Sequence, residues 1–237
     1  MQPRQVVLIT GASRGLGLEI ARLLARQGAA LVLAARGADA LAAAARELEA
    51  QADVVALAGD VADPACAARL VRAAHDRFGR VDVLVNNAST IGPSPMPPLA
   101  EYPLDAFAAV LRTNVVAPLH LAQLVLPGMR ARGSGTIVNV TSDAGREAYP
   151  GWGGYGTSKA ALEHLSRVLA AELAGSGVRV YVVDPGDMNT QMHQEAEPGV
   201  DLSHLPEPAT VAAAIVRLLA TETAPYGRYE AQALVRH

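Results

Sequence analysis

The chain has 237 residues, of which 51% are hydrophobic and 18% charged, and its formal net charge is −3. This length fits one domain, and the large apolar fraction excludes a disordered chain. The small net charge gives no electrostatic reason to expect binding to nucleic acid or to an anionic membrane. The single cysteine, Cys66, excludes an internal disulfide and suits a reducing compartment, and we expect it to be a small buried apolar residue.

We expect neither a targeting segment nor a membrane segment in this sequence. The first residues run directly into an apolar strand and do not look like a signal peptide. No apolar run reaches about 18 residues without a charged or turn residue, so we expect no membrane span. We therefore expect a cytoplasmic protein.

Apolar strands and helices alternate along the first part of the chain. The predicted strands are residues 6–9, 31–35, 54–57 and 81–85, and the helices between them are residues 18–27, 38–51 and 64–78. Short continuous apolar runs are typical of strands buried on both faces of a parallel sheet. With right-handed crossovers, this alternation predicts a doubly wound, three-layer α/β fold.

The rest of the chain continues the same pattern. Residues 91–103 are a proline-rich loop, and residues 104–132 are helical, with kinks or a break expected at Pro118 and Pro127. Strands are predicted at 136–140 and 178–183 and within 227–235, and helices at 155–173 and 211–220. Residues 187–208 are polar and acidic, which predicts a loop or lid. We expect one domain over 1–237, with a nucleotide-binding half of about 1–90 and a catalytic half of about 91–237.

A glycine cluster follows the first predicted strand. Gly11, Gly15 and Gly17 stand between that strand and a helix, where glycine allows a tight turn and close approach of a phosphate to the helix N-terminus. Arg36 follows the second strand, where NAD sites usually place an acid, and Arg14 lies inside the glycine loop. Two arginines suit the 2′-phosphate of NADP(H). The alternative is that both are solvated surface residues.

Lys159 is the only lysine among the 20 Lys and Arg residues, and it stands four positions after Tyr155 in a predicted helix. Positions i and i+4 share a helix face, so the ammonium can act on the phenol. A neighbouring positive charge favours the phenolate and lowers the pKa of the phenol. A bare Y-x-x-x-K motif is more often a surface pair, and its interpretation depends on the other motifs.

Those other motifs occur in a fixed order along the chain. They are the glycine turn of residues 10–17, Asp60-Val61, Asn86-Asn87-Ala88, Asn114, Ser142, Tyr155 with Lys159, and Pro185-Gly186 followed by Thr190. Over nearly the whole chain this set resembles the short-chain dehydrogenase/reductase family. The resemblance implies a Rossmann fold and an oxidoreductase that transfers a hydride between NADP(H) and a carbonyl or secondary alcohol.

The resemblance also implies which residues form the site. The catalytic tetrad would be Asn114, Ser142, Tyr155 and Lys159. Ser142 would orient the substrate oxygen, Tyr155 would act as general acid/base, Lys159 would hold the nicotinamide ribose, and Asn114 with a water would connect Lys159 to solvent. The cofactor would contact Gly11, Ser13, Arg14, Gly15, Leu16, Gly17, Arg36, Asp60, Val61, Asn87, Ala88, Tyr155, Lys159, Pro185, Gly186, Met188 and Thr190.

The chain departs from the family pattern at three places. Ser89 stands where glycine is usual, which restricts positive φ there, and Met188 replaces a branched aliphatic residue. The C-terminal segment lacks the family's frequent T-G-x-x-x-x-V-D-G-G ending, which puts a tetramer in doubt. The helix over 155–173 is apolar on more than one face, which reflects either a homodimer or homotetramer contact or only alanine-rich composition.

Some alternatives stay open at this point. An NAD-dependent alcohol dehydrogenase is the nearest enzymatic alternative, and a non-catalytic nucleotide-sensing protein is the alternative from another class. Trp152 and Tyr149 either wall a substrate pocket or fill a gap under the helix. The acidic and histidine residues of 187–208, among them His193 and His204, suggest a solvated loop, and no metal site is expected. Nothing in the sequence indicates the substrate.

Overall fold

The computed structural model describes residues 4–235 and contains a seven-stranded parallel sheet with the order β3-β2-β1-β4-β5-β6-β7. Each strand pairs with its neighbours in parallel, and β1 and β2 are buried along their whole length. The strand order reverses between β1 and β4, which is where open α/β sheets bind ligands. The strands are β1 (Val6–Thr10), β2 (Ala30–Ala35), β3 (Val54–Ala58), β4 (Val83–Asn86), β5 (Gly135–Val140), β6 (Val178–Asp184) and β7 (Tyr226–Glu230).

Helices cover both faces of this sheet and bury two apolar cores. One core joins Ile20 of α1 to Ile215 of α8, and the other joins Leu70 of α3 to Leu121 of α5. Cys66 belongs to the second core and is 1% exposed. The predicted doubly wound single domain is therefore confirmed. The helices are α1 (Gly15–Arg26), α2 (Ala38–Leu48), α3 (Pro64–Phe78), α4 (Leu104–Leu111), α5 (Ala117–Arg132), α6 (Gly153–Glu172), α7 (Gln191–Ala196), α8 (Pro208–Thr221) and α9 (Ala231–Val235).

The last strand is shorter than predicted. β7 pairs with β6 from Val180↔Tyr226 to Asp184↔Glu230. Because β6 ends at Asp184, the chain after Glu230 has no strand to pair with, and it turns into α9. The prediction of a strand extending towards residue 235 was therefore wrong.

A π-helical turn over Arg112–Val116 separates α4 from α5. The interruption lies before Pro118 and not at a proline, so the predicted cause was wrong. Pro118 occupies the first turn of α5, where its missing N–H is tolerated, and Pro127 stays inside that helix. Turns of this kind are often found at functional sites.

The run Leu104–Arg132 is long and apolar enough, by length and composition alone, to cross a membrane. In the structure its apolar residues Leu121, Val125 and Met129 are buried against the sheet. A core helix of a globular domain passes the same test of length and composition.

Candidate active site

A cleft of about 750 Å³ opens at the carboxyl ends of the strands, beside the reversal of strand order. It runs from the turn after β1 past the ends of β4 and β5 to the segment after β6. The structure therefore brings most of the predicted site residues together. Among the predicted residues, Gly17 and Asn114 do not line the cleft. The predicted residues that line it are Gly11, Ser13, Arg14, Gly15, Leu16, Arg36, Asp60, Val61, Asn87, Ala88, Ser142, Tyr155, Lys159, Pro185, Gly186, Met188 and Thr190.

The glycine turn is fixed by Asn87 at the end of β4. The Asn87 side-chain amide donates to the carbonyl oxygens of Thr10 and Gly11, at 3.0 and 3.1 Å. Gly11 has a φ of +67°, which favours glycine, and a Cβ at Gly17 would lie 2.4 Å from the Gly11 oxygen. Gly17 therefore allows α1 to pack closely on the turn, and Gly15 and Leu16 at the N-terminus of α1 line the cleft, where a helix N-terminus favours an anion.

Arg36 and Arg14 are exposed at the nucleotide end of the cleft. Arg36 directly follows β2, and Asp39, the first acid after it, does not line the cleft. The guanidinium of Arg14 donates to the side chain of Gln191 on α7, so the glycine turn contacts the segment after β6. Two arginine side chains thus line the same cleft as the glycine turn.

Helix α6 places Tyr155 and Lys159 on one face, as their spacing predicts. Lys159 is 2% exposed, its Nζ lies 5.3 Å from the centroid of the Tyr155 ring, and it donates to the Val140 carbonyl oxygen at 2.8 Å. The ring of Trp152 packs edge-to-face against Tyr155, with centroids 5.8 Å apart. Trp152 also lines the cleft, so it walls the site.

The ionisation of the Tyr155 phenol differs from the prediction. Burial raises its pKa, the Asp184 carboxylate raises it further, and the Ser142 and Ser89 hydroxyls only partly offset this. Burial also lowers the pKa of Lys159 to about 8, against the opposing influence of Asp184. The expectation of a lowered tyrosine pKa was wrong for this structure, because desolvation and the carboxylates of Asp184 and Asp143 raise the pKa more than the serine hydroxyls lower it.

Asn114 sits in the π-helical turn and is 1% exposed. Its amide donates to Thr90 O at 2.8 Å and Ser158 Oγ at 2.9 Å, and its oxygen accepts from Thr90 N at 2.9 Å and Ser89 Oγ at 3.1 Å. All of its side-chain hydrogen-bonding groups are engaged, so Asn114 fixes the loop after β4 against α6. Ser89 needs no positive φ here, and sequence reasoning missed the contributions of Ser89 and Ser158.

Ser142 lies two residues after the end of β5 and begins a short turn beside α6. Its hydroxyl donates to Asp143 Oδ1 at 2.9 Å and accepts from the Ala144 amide at 3.2 Å. A Cβ at Gly156 would lie 2.4 Å from the Ala144 oxygen, so glycine lets the first turn of α6 pack closely against this loop. Ser142 and Tyr155 consequently line the same part of the cleft.

A buried charge network behind the cleft was not foreseen from the sequence. Arg228 of β7 donates to Glu163 at 3.0 Å and to Asp184 at 2.9 Å, and Asp184 also accepts from the Gly186 amide at 2.9 Å. Glu163 follows Lys159 by one helical turn. Although burial opposes it, the guanidinium groups of Arg228 and Arg146 hold the pKa of Glu163 below its usual range. The sequence offered one indication of this network, because Asp184 ends a buried strand and a buried carboxylate needs a charged partner.

Comparison with known proteins identifies the family. A family model described as short chain dehydrogenase matches residues 5–201. The chain is 36% identical over 222 residues to the ketoacyl reductase HetN of Nostoc sp., covering 92% of this chain and 76% of that protein. The chain belongs to the short-chain dehydrogenase/reductase family. Members of this family are oxidoreductases that use a nicotinamide cofactor.

Two solved family members show that cofactor choice varies among similar structures. The alcohol dehydrogenase from Thermococcus sibiricus, complexed with 5-hydroxy-NADP, is 30% identical with a TM-score of 0.85, and the match covers 96% of this chain and 95% of that one. An NAD⁺-bound xylitol dehydrogenase is 25% identical with a TM-score of 0.84, over 97% of this chain and 98% of that one. Family membership therefore does not decide between NADP and NAD.

Proposed function

We propose that the protein is an NADP(H)-dependent oxidoreductase that interconverts a ketone or aldehyde and the corresponding alcohol, with Tyr155 as general acid/base. The observation that carries the proposal is the meeting of Ser142, Tyr155 and Lys159 in one cleft with the glycine turn. The nicotinamide, when bound, supplies or accepts the hydride. The turn of Gly11 and the N-terminus of α1 would hold its pyrophosphate, and Lys159 its ribose.

The serine and tyrosine hydroxyls would act on the substrate oxygen. The Ser142 hydroxyl would turn from Asp143 Oδ1, its partner in this structure, to donate its one hydrogen bond to the carbonyl oxygen and fix its position. A phenol has an ordinary pKa of about 10, so Tyr155 is protonated at neutral pH and would give its proton to that oxygen as negative charge develops. The Lys159 ammonium beside the ring would then stabilise the phenolate.

A proton path through Asn114 would use its backbone and not its side chain. The side-chain amide is fully engaged with the loop after β4 and with Ser158. A π-helical turn alters the regular backbone bonding, so a carbonyl in Arg112–Val116 can accept from a water. We therefore assign Asn114 to positioning that turn beside Lys159.

The preference for NADP(H) rests on Arg36 and Arg14. Dissociation constants for NADPH and NADH should be measured on the wild type and on Arg36→Ala, with Arg46→Ala on the exposed face of α2 as a control of equal charge change. Loss of a charge-assisted bond predicts a roughly 10- to 100-fold weaker NADPH complex for Arg36→Ala and no change for NADH. Equal affinities for both cofactors, unchanged in Arg36→Ala, would favour the NAD-dependent alternative.

The catalytic assignment is tested by Tyr155→Phe with NADPH and two carbonyl probes, an aryl methyl ketone and a 3-oxoacyl thioester. The second probe is chosen because HetN is named a ketoacyl reductase. We expect Tyr155→Phe to lose most turnover while it binds NADPH like the wild type. Full kcat in this variant contradicts the mechanism. A wild type that binds NADPH but reduces no carbonyl in a wider screen favours the nucleotide-sensing alternative.

We further propose that the protein is a cytoplasmic homodimer or homotetramer. Leu104, Val116 and Val168, on the helical layer that carries Asn114 and Tyr155, are 83%, 54% and 44% exposed. Aliphatic side chains exposed on neighbouring helices suit a subunit contact. Light scattering over a range of concentrations tests this, and a monomer at all of them would refute it.

A further inference from the structure

A second cavity of about 330 Å³ lies beside the reacting end of the cleft. We call it the side cavity. It shares Ser142, Trp152, Asp187 and His193 with the main cleft, so the two spaces adjoin at the serine that we assign to the carbonyl oxygen. A substrate whose carbonyl contacts Ser142 would extend its remaining atoms into this space.

The walls of the side cavity combine apolar surface with carboxylates. Tyr149, Trp152 and Leu202 provide apolar surface, and Leu202 is 3% exposed. Its volume lies at the lower end of the range for small-molecule sites, enough for a compact side group. Burial of part of a substrate against these walls would contribute binding energy.

The charges that line the side cavity are mostly negative. Asp143, Asp187 and Glu197 contribute carboxylates, and within residues 4–235 no arginine or lysine lines this space. Its two histidines, His193 and His204, are outnumbered by carboxylates even if both carry a proton. The arginine nearest in sequence to Asp143 is Arg146, which is bound to Glu163 at 3.1 Å and does not line the side cavity.

The carboxylates of the side cavity raise the pKa values of the nearby tyrosine hydroxyls. The Tyr149 hydroxyl donates to Asp143 Oδ2 at 2.8 Å, and this bond, with the carboxylates of Asp143, Glu147 and Asp187, raises the pKa of Tyr149. Asp143 also contributes to the raised pKa of Tyr155. The negative potential therefore extends from the side cavity to the reacting phenol.

From this geometry we propose that the side cavity binds the part of the substrate distal to the carbonyl, and that it selects a cationic group over a neutral one and a neutral group over an anionic one. The inference rests on the proposed function, because it places the carbonyl at Ser142. The proposal predicts that the substrates are amphiphilic carbonyl compounds that carry an ammonium group. Carbonyl compounds with a carboxylate or phosphate at that distance would be poor substrates.

Three acetophenones test the charge order, each with a para methylene bearing a different group. One carries trimethylammonium, one the isosteric tert-butyl group, and one a carboxylate. Binding is measured with NADP⁺ present, because a ketone cannot accept a hydride from the oxidised cofactor. Trp152 is the only tryptophan of the chain and lines the side cavity, so its fluorescence reports binding directly. We expect the cation to bind about three- to tenfold more tightly than the neutral ketone, and the anion more weakly.

A charge variant identifies the source of the preference. Glu197→Gln removes one lining carboxylate, and Glu172→Gln, at the exposed end of α6, removes the same charge elsewhere. One unit charge at about 6 Å in a water-like dielectric changes affinity by about threefold. The ratio of cation to neutral affinity should therefore fall about threefold in Glu197→Gln and stay constant in Glu172→Gln.

The same ketones are then assayed for reduction with NADPH. Equal binding of all three, or equal ratios in Glu197→Gln and wild type, overturns the charge assignment. Reduction without any charge order also overturns it while supporting the proposed function. Charge-ordered binding without reduction of any carbonyl would support the side cavity as a cation site and overturn the proposed activity.

Discussion

Arg228 is the residue whose loss should most affect the frame of the active site. It lies on β7 and joins Glu163 on α6 to Asp184 at the end of β6, and the three side chains are only 7–9% exposed. Replacement by methionine keeps much of the side-chain length but leaves both carboxylates without their shared cation. We predict that Arg228→Met is strongly destabilised.

The loss of unfolding free energy in Arg228→Met depends on the hydrogen bonds that Asp184 and Glu163 keep. Removing one partner of a buried ion pair costs about 3–5 kcal/mol. Asp184 keeps the Gly186 amide at 2.9 Å, and Glu163 keeps Arg146 at 3.1 Å and Thr141 at 3.0 Å. These remaining bonds place the expected loss of unfolding free energy at the lower end, about 3 kcal/mol.

Urea unfolding followed by Trp152 fluorescence and circular dichroism measures this loss. Glu230→Gln is the matched control, because Glu230 also bonds Arg228, at 3.2 Å, but its side chain is 67% exposed. An exposed pair contributes less than about 1 kcal/mol, so this control should remain close to the wild type. A deficit for Arg228→Met no larger than that of Glu230→Gln would refute the reasoning.

The pH dependence gives a second test of the same variant. The lowered pKa of Glu163 means that its ion pairing stabilises the fold above the ordinary pKa of 4.5 and is lost as the pH falls below it. The deficit of Arg228→Met should therefore be largest near neutral pH and shrink towards pH 4. A deficit that does not change with pH would indicate lost packing instead of lost charge pairing.

Two further predictions concern α6. Gly156→Ala places a Cβ 2.4 Å from the Ala144 oxygen, so kcat should fall at least tenfold. The control Gly175→Ala meets no atom within 4 Å but has a φ of +76°, so it should lose stability and keep its activity. Equal activity of the two variants would contradict this prediction. Burial lowers the pKa of Lys159 from 10.5 to about 8, so the unfolded chain holds an extra proton between these values. Wild-type stability relative to Lys159→Met should therefore rise from pH 8 to pH 10, by up to about 1.4 kcal/mol per pH unit, in urea titrations; a constant difference would contradict the pKa.

Local patterns in the sequence were sufficient for the sheet and for most of the cleft. The apolar runs of β1 and β2 and the glycines between β1 and α1 depend on short-range rules, and the spacing of Tyr155 and Lys159 fixes their common face. The parallel order then brings the strand ends together without further information. Which residues form the site was implied by the family resemblance, and these rules account only for their meeting at one edge of the sheet.

Features that depend on distant contacts could not be obtained in this way. The network of Arg228, Glu163 and Asp184 joins residues far apart in the chain, and none of the three belongs to a motif. The pKa of Tyr155 depends on burial and on Asp184, so the spacing to Lys159 alone led to the wrong sign. The π-helical turn at Asn114 contains no proline or glycine, so the sequence offered no reason to predict it.

The burial of Lys159 has a practical consequence, since no other residue of the chain has a side-chain amine. Lys159 lines the cleft but is only 2% exposed, so amine-reactive reagents have little access to its nitrogen and would approach it from the cleft. Modification of this one side chain, read by intact mass and peptide mapping, would therefore report access to the cleft beside α6. A ligand that occupies the cleft should slow that reaction, so the rate of modification of Lys159 would report occupancy of the site.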